Sequence, residues 1–155
     1  MRRKDRELTD KVDLETILQS AVVCRVAFND VTAPYIVPLN YGYDWKEKLL
    51  LYFHSANQGK KLNLISADSN VGFELDMPGE FIKGDKACDW GMKYQSLIGK
   101  GKAEIMEDKE EKKEAMDAIM RHYGYNGKPE YGDQAFKHMA IYKIVVDEIT
   151  GKRKG

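Results

Sequence analysis

Six short segments rich in apolar and β-branched residues, most of them joined by short links, constrain this chain more than any other feature. They cover residues 21–28, 34–43, 48–55, 71–77, 95–106 and 138–149. Regular helical crossovers, which parallel strands need, are missing between consecutive segments. The length of 155 residues suits a single domain. The pattern therefore predicts a mainly β fold, a six-stranded antiparallel β-barrel with peripheral helices, in one domain over residues 1–155.

Three helices are expected outside this barrel. Asp10 precedes the first, in which apolar residues recur at helical spacing. A second, short helix is expected at 58–66, and Asp108 is expected to cap a third over 109–123. These helices would cover the barrel without joining its strands in parallel.

Proline and glycine mark irregular points in the predicted strands. Pro38 cannot donate a ladder hydrogen bond, so it predicts an edge or a bulge in its segment. Gly99 and Gly101 predict a bulge or a barrel corner in the fifth segment.

Charge and composition exclude several classes of protein. Lysine and arginine number 25 and so do aspartate and glutamate, so the basic excess typical of nucleic-acid-binding proteins is missing. The apolar runs are too short to span a membrane, and the charged start MRRKDRELTD does not resemble a secretory signal. A cytoplasmic protein is expected, with Cys24 and Cys88 as reduced thiols; one disulfide between them is the alternative. The three histidines show no metal-ligand spacing, so no metal site is expected.

The segment YFHSANQGKK at 52–61 is the strongest candidate for a binding site. A strand ends in a polar loop, and Gly59, Lys60 and Lys61 lead into the short helix. Two lysines oppose the helix dipole in the first turn, and a bound phosphate would remove that conflict. The segment is not a Walker A motif. A solvated lysine pair on a surface helix is the alternative interpretation.

Two neighbouring strands offer further candidates. The segment 34–41 could hold a flat ring system through its backbone, with Asn40 as a polar edge, or could simply be barrel core. His54 stands at the polar end of an apolar strand beside Ser55, where an imidazole could move a proton near neutral pH. The alternative for His54 is a structural histidine at a strand end.

Taken together, the segments resemble a known family. YIVPLNYGY, LLLYFHSANQGKKLNLI, ACDWGMKYQSLIGKGKAEIMED and EITGKR follow one another as in the nitroimidazole-resistance branch of the pyridoxamine 5′-phosphate oxidase-like, flavin-binding split-barrel proteins. The resemblance covers nearly the whole chain. It implies a six-stranded split β-barrel of the FMN-binding type and a homodimer with FMN at the subunit interface.

The resemblance also implies which residues meet the flavin. Segment 38–41 would line one flank, 54–55 would lie on the neighbouring strand, 59–61 would meet the phosphate, and 94–96 would approach the cofactor. The residues so assigned are Pro38, Leu39, Asn40, Tyr41, His54, Ser55, Gly59, Lys60, Lys61, Tyr94, Gln95 and Ser96. Trp90 and segment 150–152 are expected at or near the shared site, and His54 is the candidate catalytic residue.

The expected function is an FMN-dependent reductase of small nitro-aromatic or quinone-like acceptors, with a nicotinamide or another electron donor. FAD or a deazaflavin could replace FMN. The chain ends EITGKRKG, without the Arg-Leu-x-Pro type segment of the vitamin B6 oxidases, which argues against pyridoxamine phosphate oxidation. The alternatives are a non-catalytic flavin- or haem-binding protein on the same barrel, a pyridoxamine phosphate oxidase-related enzyme of other substrate, and an oligonucleotide-binding barrel. The balanced charge disfavours the last of these.

Overall fold

A computed structural model describes residues 3–132 and 134–155 of the chain and contains one antiparallel sheet with three α-helices. The strands are β1 (Glu7–Leu8), β2 (Cys24–Phe28), β3 (Tyr35–Leu39), β4 (Gly42–Trp45), β5 (Leu49–Ala56), β6 (Asn70–Ile82), β7 (Gly91–Ile105) and β8 (Met139–Lys154). The helices are α1 (Lys11–Ser20), α2 (Lys60–Ala67) and α3 (Lys109–His122). The predicted fold class is confirmed. Eight strands replace the predicted six because segment 34–43 is divided in two and the short β1 is added.

The order of the strands requires the sheet to curl. It runs β3-β2-β6-β7-β8-β5-β4, and β1 pairs with β8. β3 and β4 lie at opposite ends of this path, yet only Asn40 and Tyr41 separate them in the chain. Three peptide steps span about 10 Å, so the two ends of the sheet must come together. The result is a barrel that is split between β3 and β4, which no ladder joins within the described residues.

Tyr41 explains why the chain leaves the sheet at this point. Its side chain is fully buried, and its phenol donates a hydrogen bond to the carbonyl oxygen of Leu18 at 2.6 Å. The same hydroxyl lies 3.1 Å from the carbonyl oxygen of Ala21. The ring thereby fastens the last turn of α1 to the split in the barrel.

Two hydrophobic clusters stabilise the fold. Alternate residues of the long strands point into the barrel, where Phe28, Phe53 and Phe73 pack with Tyr142. α1 adds its buried face to this first cluster. α3 forms the second cluster outside the barrel, against Tyr52 of β5 and Ile141 of β8.

The local signals for the helices are confirmed. The carboxylate of Asp10 accepts a hydrogen bond from the Val12 amide and caps α1. Asp108 accepts from two amides of α3 in the same way. α3 lies so close to β4 that a Cβ atom at Gly42 would collide with the helix backbone. A glycine is therefore required where α3 crosses the barrel.

The irregular points also lie where the sequence places them. β3, which carries Pro38, is an edge strand. The ladder between β7 and β8 shifts register between Lys100 and Gly101. Cys24 is buried and Cys88 is exposed, and both are free thiols. None of the described helices has the length and apolar character to cross a bilayer.

The hairpin of β6 and β7 is longer than the sequence predicts. The pattern ends the first strand at 77 and starts the second at 95, whereas pairing continues to Ile82 and Gly91. Pro78 and Gly79 end the apolar alternation, but they do not end the pairing, which passes them through a bulge. β8 likewise continues to Lys154, because it pairs with β7 from Tyr142 to Lys154.

Candidate functional site

Most of the residues expected at the phosphate end of a flavin lie at one end of the barrel, called here the site end. It is formed by the loop between β2 and β3, the last residues of β5 and the first turn of α2. Lys60 forms an ion pair with Asp30 of that loop, with Nζ 2.7 Å from Oδ2. The same ammonium lies 4.9 Å from the centroid of the Tyr35 ring. Lys60 therefore already has a carboxylate partner in this protomer.

The start of α2 has the features of an anion site. Gly59 is the N-cap with φ of +141°, a left-handed region that favours glycine, and open space surrounds the position of a Cβ atom. No side chain caps the helix and its first turn holds no acidic residue. The amides of the first turn lack helical acceptors, and the dipole favours a negative charge there.

Lys61 is the cation best placed for an anion. Its side chain is half-buried, and burial lowers the pKa of its ammonium group. No carboxylate of the described residues lies within ion-pair distance of Lys61. A half-buried ammonium without a counter-charge is costly, and an incoming phosphate would supply that charge.

His54 lies close to Lys61 and has an unsatisfied ring nitrogen. Its Nδ1 is buried and has no hydrogen-bond partner among the described residues. Burial lowers the pKa of His54, and the positive charge of Lys61 lowers it further. Near pH 7 the imidazole is therefore neutral and can accept a hydrogen bond at one nitrogen while donating from the other.

Ser55 and the loop after it are held in place locally. The Ser55 hydroxyl donates to the carbonyl oxygen of Ala56 at 2.9 Å. Asn57 donates through its backbone amide to the carbonyl oxygen of His138 at 3.3 Å. Its side-chain amide donates to the carbonyl oxygen of Lys137 at 3.2 Å. The segment that leads from His54 to Gly59 is thereby fastened to the chain just before β8.

The predicted flank at 38–41 is only partly available to a ligand. Pro38 and Asn40 are exposed, and Leu39 packs partly against the barrel core. Tyr41 is different, because its ring is fully buried and its amide donates to the Tyr123 hydroxyl at 3.1 Å. Of Tyr41, therefore, only the backbone is left to contact a flavin, since its side chain is buried against α1.

Tyr94, Gln95 and Ser96 lie at the opposite end of the sheet. Beyond them β6 and β7 pair only with each other, as a two-stranded extension over residues 79–93 that we call the arm, and we call this end of the sheet the arm end. Ser96 pairs with Lys152 of β8, whereas Ala103 of the same strand β7 bonds to Ser69, just after α2. Seven residues of extended chain correspond to about 23 Å. The fold of this chain therefore does not bring the two predicted groups together.

The remaining expected residues also lie at the arm end. Lys152 stands 5.5 Å from the centroid of the Tyr94 ring, and Gln95 accepts a hydrogen bond from Arg153 at 3.2 Å. Trp90 is 55% exposed, and its indole N–H donates to the carbonyl oxygen of Gly84 at 2.9 Å. Trp90 does not fill the barrel of its own protomer.

Sequence reasoning missed the partners of Lys60. The sequence pattern assigns no binding role to Asp30 and predicts only that Tyr35 belongs to the strand segment 34–43. No local signal connects either residue with a lysine 25 to 30 positions later. Only the pairing of β2 with β3 brings their loop to the start of α2.

A separate surface cavity of about 580 Å³ opens beside α3, over Leu50, Tyr52 and Met106. None of the residues assigned to the flavin lines it. The cavity is lined by four carboxylates and three lysines, and this small excess of negative charge disfavours an anionic ligand. Among the described residues no cluster of histidine, cysteine and acidic side chains is arranged to hold a metal ion.

The site end fits the phosphate of a flavin. The N-terminus of α2 offers free amides, Lys61 offers an uncompensated charge, and the buried Nδ1 of His54 needs a partner.

Comparison with known proteins places the chain in a family. The family model described as pyridoxamine 5′-phosphate oxidase matches residues 10–153. A solved candidate 5-nitroimidazole antibiotic resistance protein from Bacteroides thetaiotaomicron is 34% identical and superimposes with a TM-score of 0.82, over 95% of this chain and 86% of that one. No curated protein matches the chain.

More distant structures share the fold. An FAD and haem binding protein from Mycobacterium smegmatis is 14% identical with a TM-score of 0.82, over 96% of this chain and 73% of that one. An FAD-binding protein from Mesorhizobium loti is 22% identical with a TM-score of 0.68, over 97% of this chain and 98% of that one. The resemblance drawn from the sequence motifs is confirmed at the level of the family.

Proposed function

The chain belongs to the pyridoxamine 5′-phosphate oxidase family, and on that premise we propose that it is an FMN-dependent oxidoreductase that reduces small nitro-aromatic or quinone-like molecules. A nicotinamide cofactor or another small donor supplies the electrons. The observation that carries the proposal is the half-buried, uncompensated Lys61 at the start of α2, beside the unsatisfied Nδ1 of His54.

Binding of the phosphate group is the step that the site end supports most directly. Lys61 and the first amides of α2 would hold the phosphate oxygens. Lys60 would contribute less, because Asp30 already neutralises it. Gly59 leaves the approach open, since it has no side chain to block the helix N-terminus.

A bound flavin supplies two-electron transfer between the donor and the acceptor. His54 holds a proton on one ring nitrogen at neutral pH and offers the other as an acceptor. Its position next to the phosphate end lets it hydrogen-bond the cofactor or the acceptor and return a proton to a reduced acceptor. The barrel core behind β5 keeps water from reaching His54 on that side.

The class of acceptor rests on the relative from Bacteroides thetaiotaomicron, which is a candidate 5-nitroimidazole antibiotic resistance protein. At 34% identity over most of both chains, the two proteins share more than the fold. A planar, electron-poor nitro compound or quinone is therefore the first class of acceptor to try. FAD or a deazaflavin in place of FMN would be recognised by identifying the chromophore released from the purified protein.

The phosphate assignment is tested by titrating FMN and riboflavin into three variants. Replacing Lys60 and Lys61 together by alanine should weaken FMN binding at least tenfold, because each charge-assisted bond contributes about 1.5–3 kcal/mol. Lys61→Ala alone should cause most of that loss. Riboflavin affinity should stay the same, and so should FMN affinity in Lys46→Ala, which removes an exposed lysine between β4 and β5. Unchanged FMN binding in the double variant would refute the assignment.

A second measurement follows the imidazole itself. FMN should raise the pKa of His54 in an NMR titration, because the phosphate would neutralise the charge of Lys61. Riboflavin should leave that pKa where it is. An equal response to both ligands would mean that the phosphate lies elsewhere.

Turnover decides whether the protein is an enzyme. Steady oxidation of NADH or NADPH with a nitro-aromatic or quinone acceptor is expected, and His54→Gln should lower it while FMN remains bound. A flavin that stays bound without turnover under any donor would indicate a non-catalytic flavin carrier.

The active unit of this proposal is a homodimer. Ile36 of β3 and Ile98 of β7 lie on the outer face of the sheet and are 60% and 61% exposed. Apolar residues of this kind favour an interface between copies of the chain. Molar mass and flavin occupancy across a dilution series should fall together, whereas a flavin-loaded monomer would contradict the homodimer.

A further inference from the structure

The loop between β2 and β3 is bonded to both ends of helix α2. At the start of the helix, Asp30 of this loop forms its ion pair with Lys60, with 2.7 Å between Oδ2 and Nζ. At the other end, the side-chain amide of Asn29 donates to the carboxylate of Asp68, the residue just after α2, at 2.7 Å. The loop is therefore fixed relative to the first turn of α2, where the phosphate is proposed to bind.

The carboxylate of Asp30 is held in one orientation by two contacts. Oδ2 binds Lys60, and Oδ1 accepts a hydrogen bond from the Val31 amide at 2.8 Å. The Asp30 side chain is 21% exposed, whereas that of Lys60 is 54% exposed. The hydrogen bond with Lys60, and then that with the Val31 amide, lowers the pKa of Asp30. Asp30 therefore places a fixed negative charge beside the start of α2 at neutral pH.

The site end consequently carries less positive charge than its sequence implies. Two lysines follow Gly59, but Asp30 neutralises Lys60. Lys61 and the dipole of α2 remain to attract an anion. A phosphate monoester carries about two negative charges at pH 7, whereas a phosphate esterified twice carries one. The uncompensated charge of Lys61 thus balances a phosphodiester and leaves a monoester about one charge short.

We propose that Asp30 determines the phosphate specificity of this site: by holding Lys60, it keeps the affinity for a doubly charged phosphate monoester low and lets the site accept a singly charged phosphodiester. The inference rests on the proposed function and adds to it the charge class of the phosphate. FMN carries a monoester, whereas each phosphate of FAD is singly charged. The site therefore distinguishes FMN from FAD less sharply than two free lysines would.

Asp30→Asn tests the proposal with ligands of different charge. The substitution removes the carboxylate charge and keeps an oxygen for the Val31 amide. Lys60 is then free to pair with the phosphate, so FMN should bind about tenfold more tightly. A Coulomb energy is proportional to the charge of the ligand, so the phosphate methyl ester of FMN, with one charge, should gain only about threefold. Riboflavin should gain nothing.

Fluorescence titration of the three flavins into wild type and Asp30→Asn measures these gains. A graded gain supports the proposal, because a merely structural role of Asp30 would not depend on the charge of the ligand. Equal gains for FMN and its methyl ester, or no gain for FMN, would overturn it.

Removing both partners of the ion pair tests whether Asp30 acts through Lys60. Asp30→Asn combined with Lys60→Ala deletes a neutral pair, so FMN affinity should lie within about threefold of wild type. If the double variant binds FMN as tightly as Asp30→Asn alone, Lys60 is not the group that Asp30 withholds, and the proposal is wrong.

The matched control is Asp147→Asn, which removes the same charge from an exposed position in β8. FMN affinity should be unchanged in that variant. A gain equal to that of Asp30→Asn would mean that the net charge of the protein sets the affinity, and would overturn the role of Asp30.

Inorganic phosphate separates failure of this inference from failure of the proposed function. Added to the flavin-free protein, it should raise the melting temperature of Asp30→Asn more than that of wild type. If this difference is found in a protein that takes up no flavin, the oxidoreductase proposal is refuted and the role of Asp30 is supported. If wild type binds FMN and Asp30→Asn binds it no more tightly, the role of Asp30 is refuted and the flavin proposal stands.

Discussion

β6 and β7 each pass through two regions that differ sharply. In the barrel, Val71, Phe73 and Leu75 of β6 are buried at alternate positions. In the arm (residues 79–93) the same strand continues past Pro78 through a bulge, with β7 as its single partner strand, and Phe81 is exposed. Pairing with β7 thus extends through both regions, whereas burial is confined to the barrel. Backbone pairing is enough to extend the strand, but most of the free energy that stabilises the fold comes from side chains buried in the core.

Phe73→Ala and Phe81→Ala would test this difference with the same substitution on the same strand. Phe73 is 3% exposed and packs in the barrel, so its loss should reduce the free energy of unfolding by about 3–5 kcal/mol. Urea denaturation of the flavin-free protein measures the change. A loss below about 1 kcal/mol would mean that the barrel core is not the stabilising region.

Tyr41→Phe sharpens the comparison inside the barrel. Removing the hydroxyl leaves the carbonyl oxygen of Leu18 without the donor that lies 2.6 Å from it. The expected loss is about 1–2 kcal/mol in the free energy of unfolding, measured by the same denaturation. An unchanged midpoint would show that Tyr41 does not hold α1 at the split.

Tyr142→Phe should have the opposite sign. Its ring stacks on Phe53 at 5.3 Å between centroids, but its buried hydroxyl has no partner among the described residues. Removing an unsatisfied hydroxyl should stabilise the protein by up to about 1 kcal/mol. A clear destabilisation would indicate that a buried water binds this hydroxyl.

Acid should affect the site end more than the arm. Burial lowers the pKa of His54 in the folded protein, with a smaller contribution from Lys61. The unfolded chain binds a proton near pH 6.5, whereas folded His54 stays neutral there. Stability is therefore complete above about pH 6.5 and falls as the pH drops through that value. His122 acts in the same direction because burial lowers its pKa as well.

The measurement is the melting temperature from about pH 8 to about pH 5. His54→Gln should reduce the fall on the acid side, because the substitution removes the imidazole whose pKa burial lowers. An identical acid slope in wild type and His54→Gln would show that His54 is not desolvated in the folded protein.

The smallest expected effect belongs to the arm. Phe81→Ala should change the free energy of unfolding of the diluted, monomeric protein by less than about 0.5 kcal/mol, because its side chain is already exposed. A loss close to that of Phe73→Ala would remove the distinction between the two regions.

Local signals in the sequence were sufficient for the helices and for most of the barrel strands. Asp10 and Asp108 are caps that act within three residues, so a sequence pattern can identify them. The division of segment 34–43 could not be predicted, because in the sequence Tyr41 cannot be told from an ordinary strand residue. Its role depends on a tertiary contact, the hydrogen bond that its hydroxyl donates to the carbonyl oxygen of Leu18 in α1. The arm was missed for a related reason: Pro78 and Gly79 are typical of strand ends, and only the partner strand continues the pairing.

The same limit applies to the site. The sequence predicts an anion site at Gly59, Lys60 and Lys61, because two cations in the first turn of a helix oppose its dipole unless an anion is bound there. The sequence could not show that Asp30 neutralises Lys60 and leaves Lys61 uncompensated. The nearness of His54 to Lys61 depends on how the end of β5 meets α2, which is a tertiary contact.

The central position of β8 has a consequence for the newly made chain. β8 joins β7 to β5, and it pairs residues about 90 positions apart, such as His54 and Ile141. It is also synthesised after every other strand described here. Until it emerges, β7 and β5 present open edges that can pair with other chains. At about 5–20 residues per second, the interval from the end of β5 to the end of β8 lasts about 5–20 s. Chaperone protection should therefore matter most during translation, before the last strand closes the sheet.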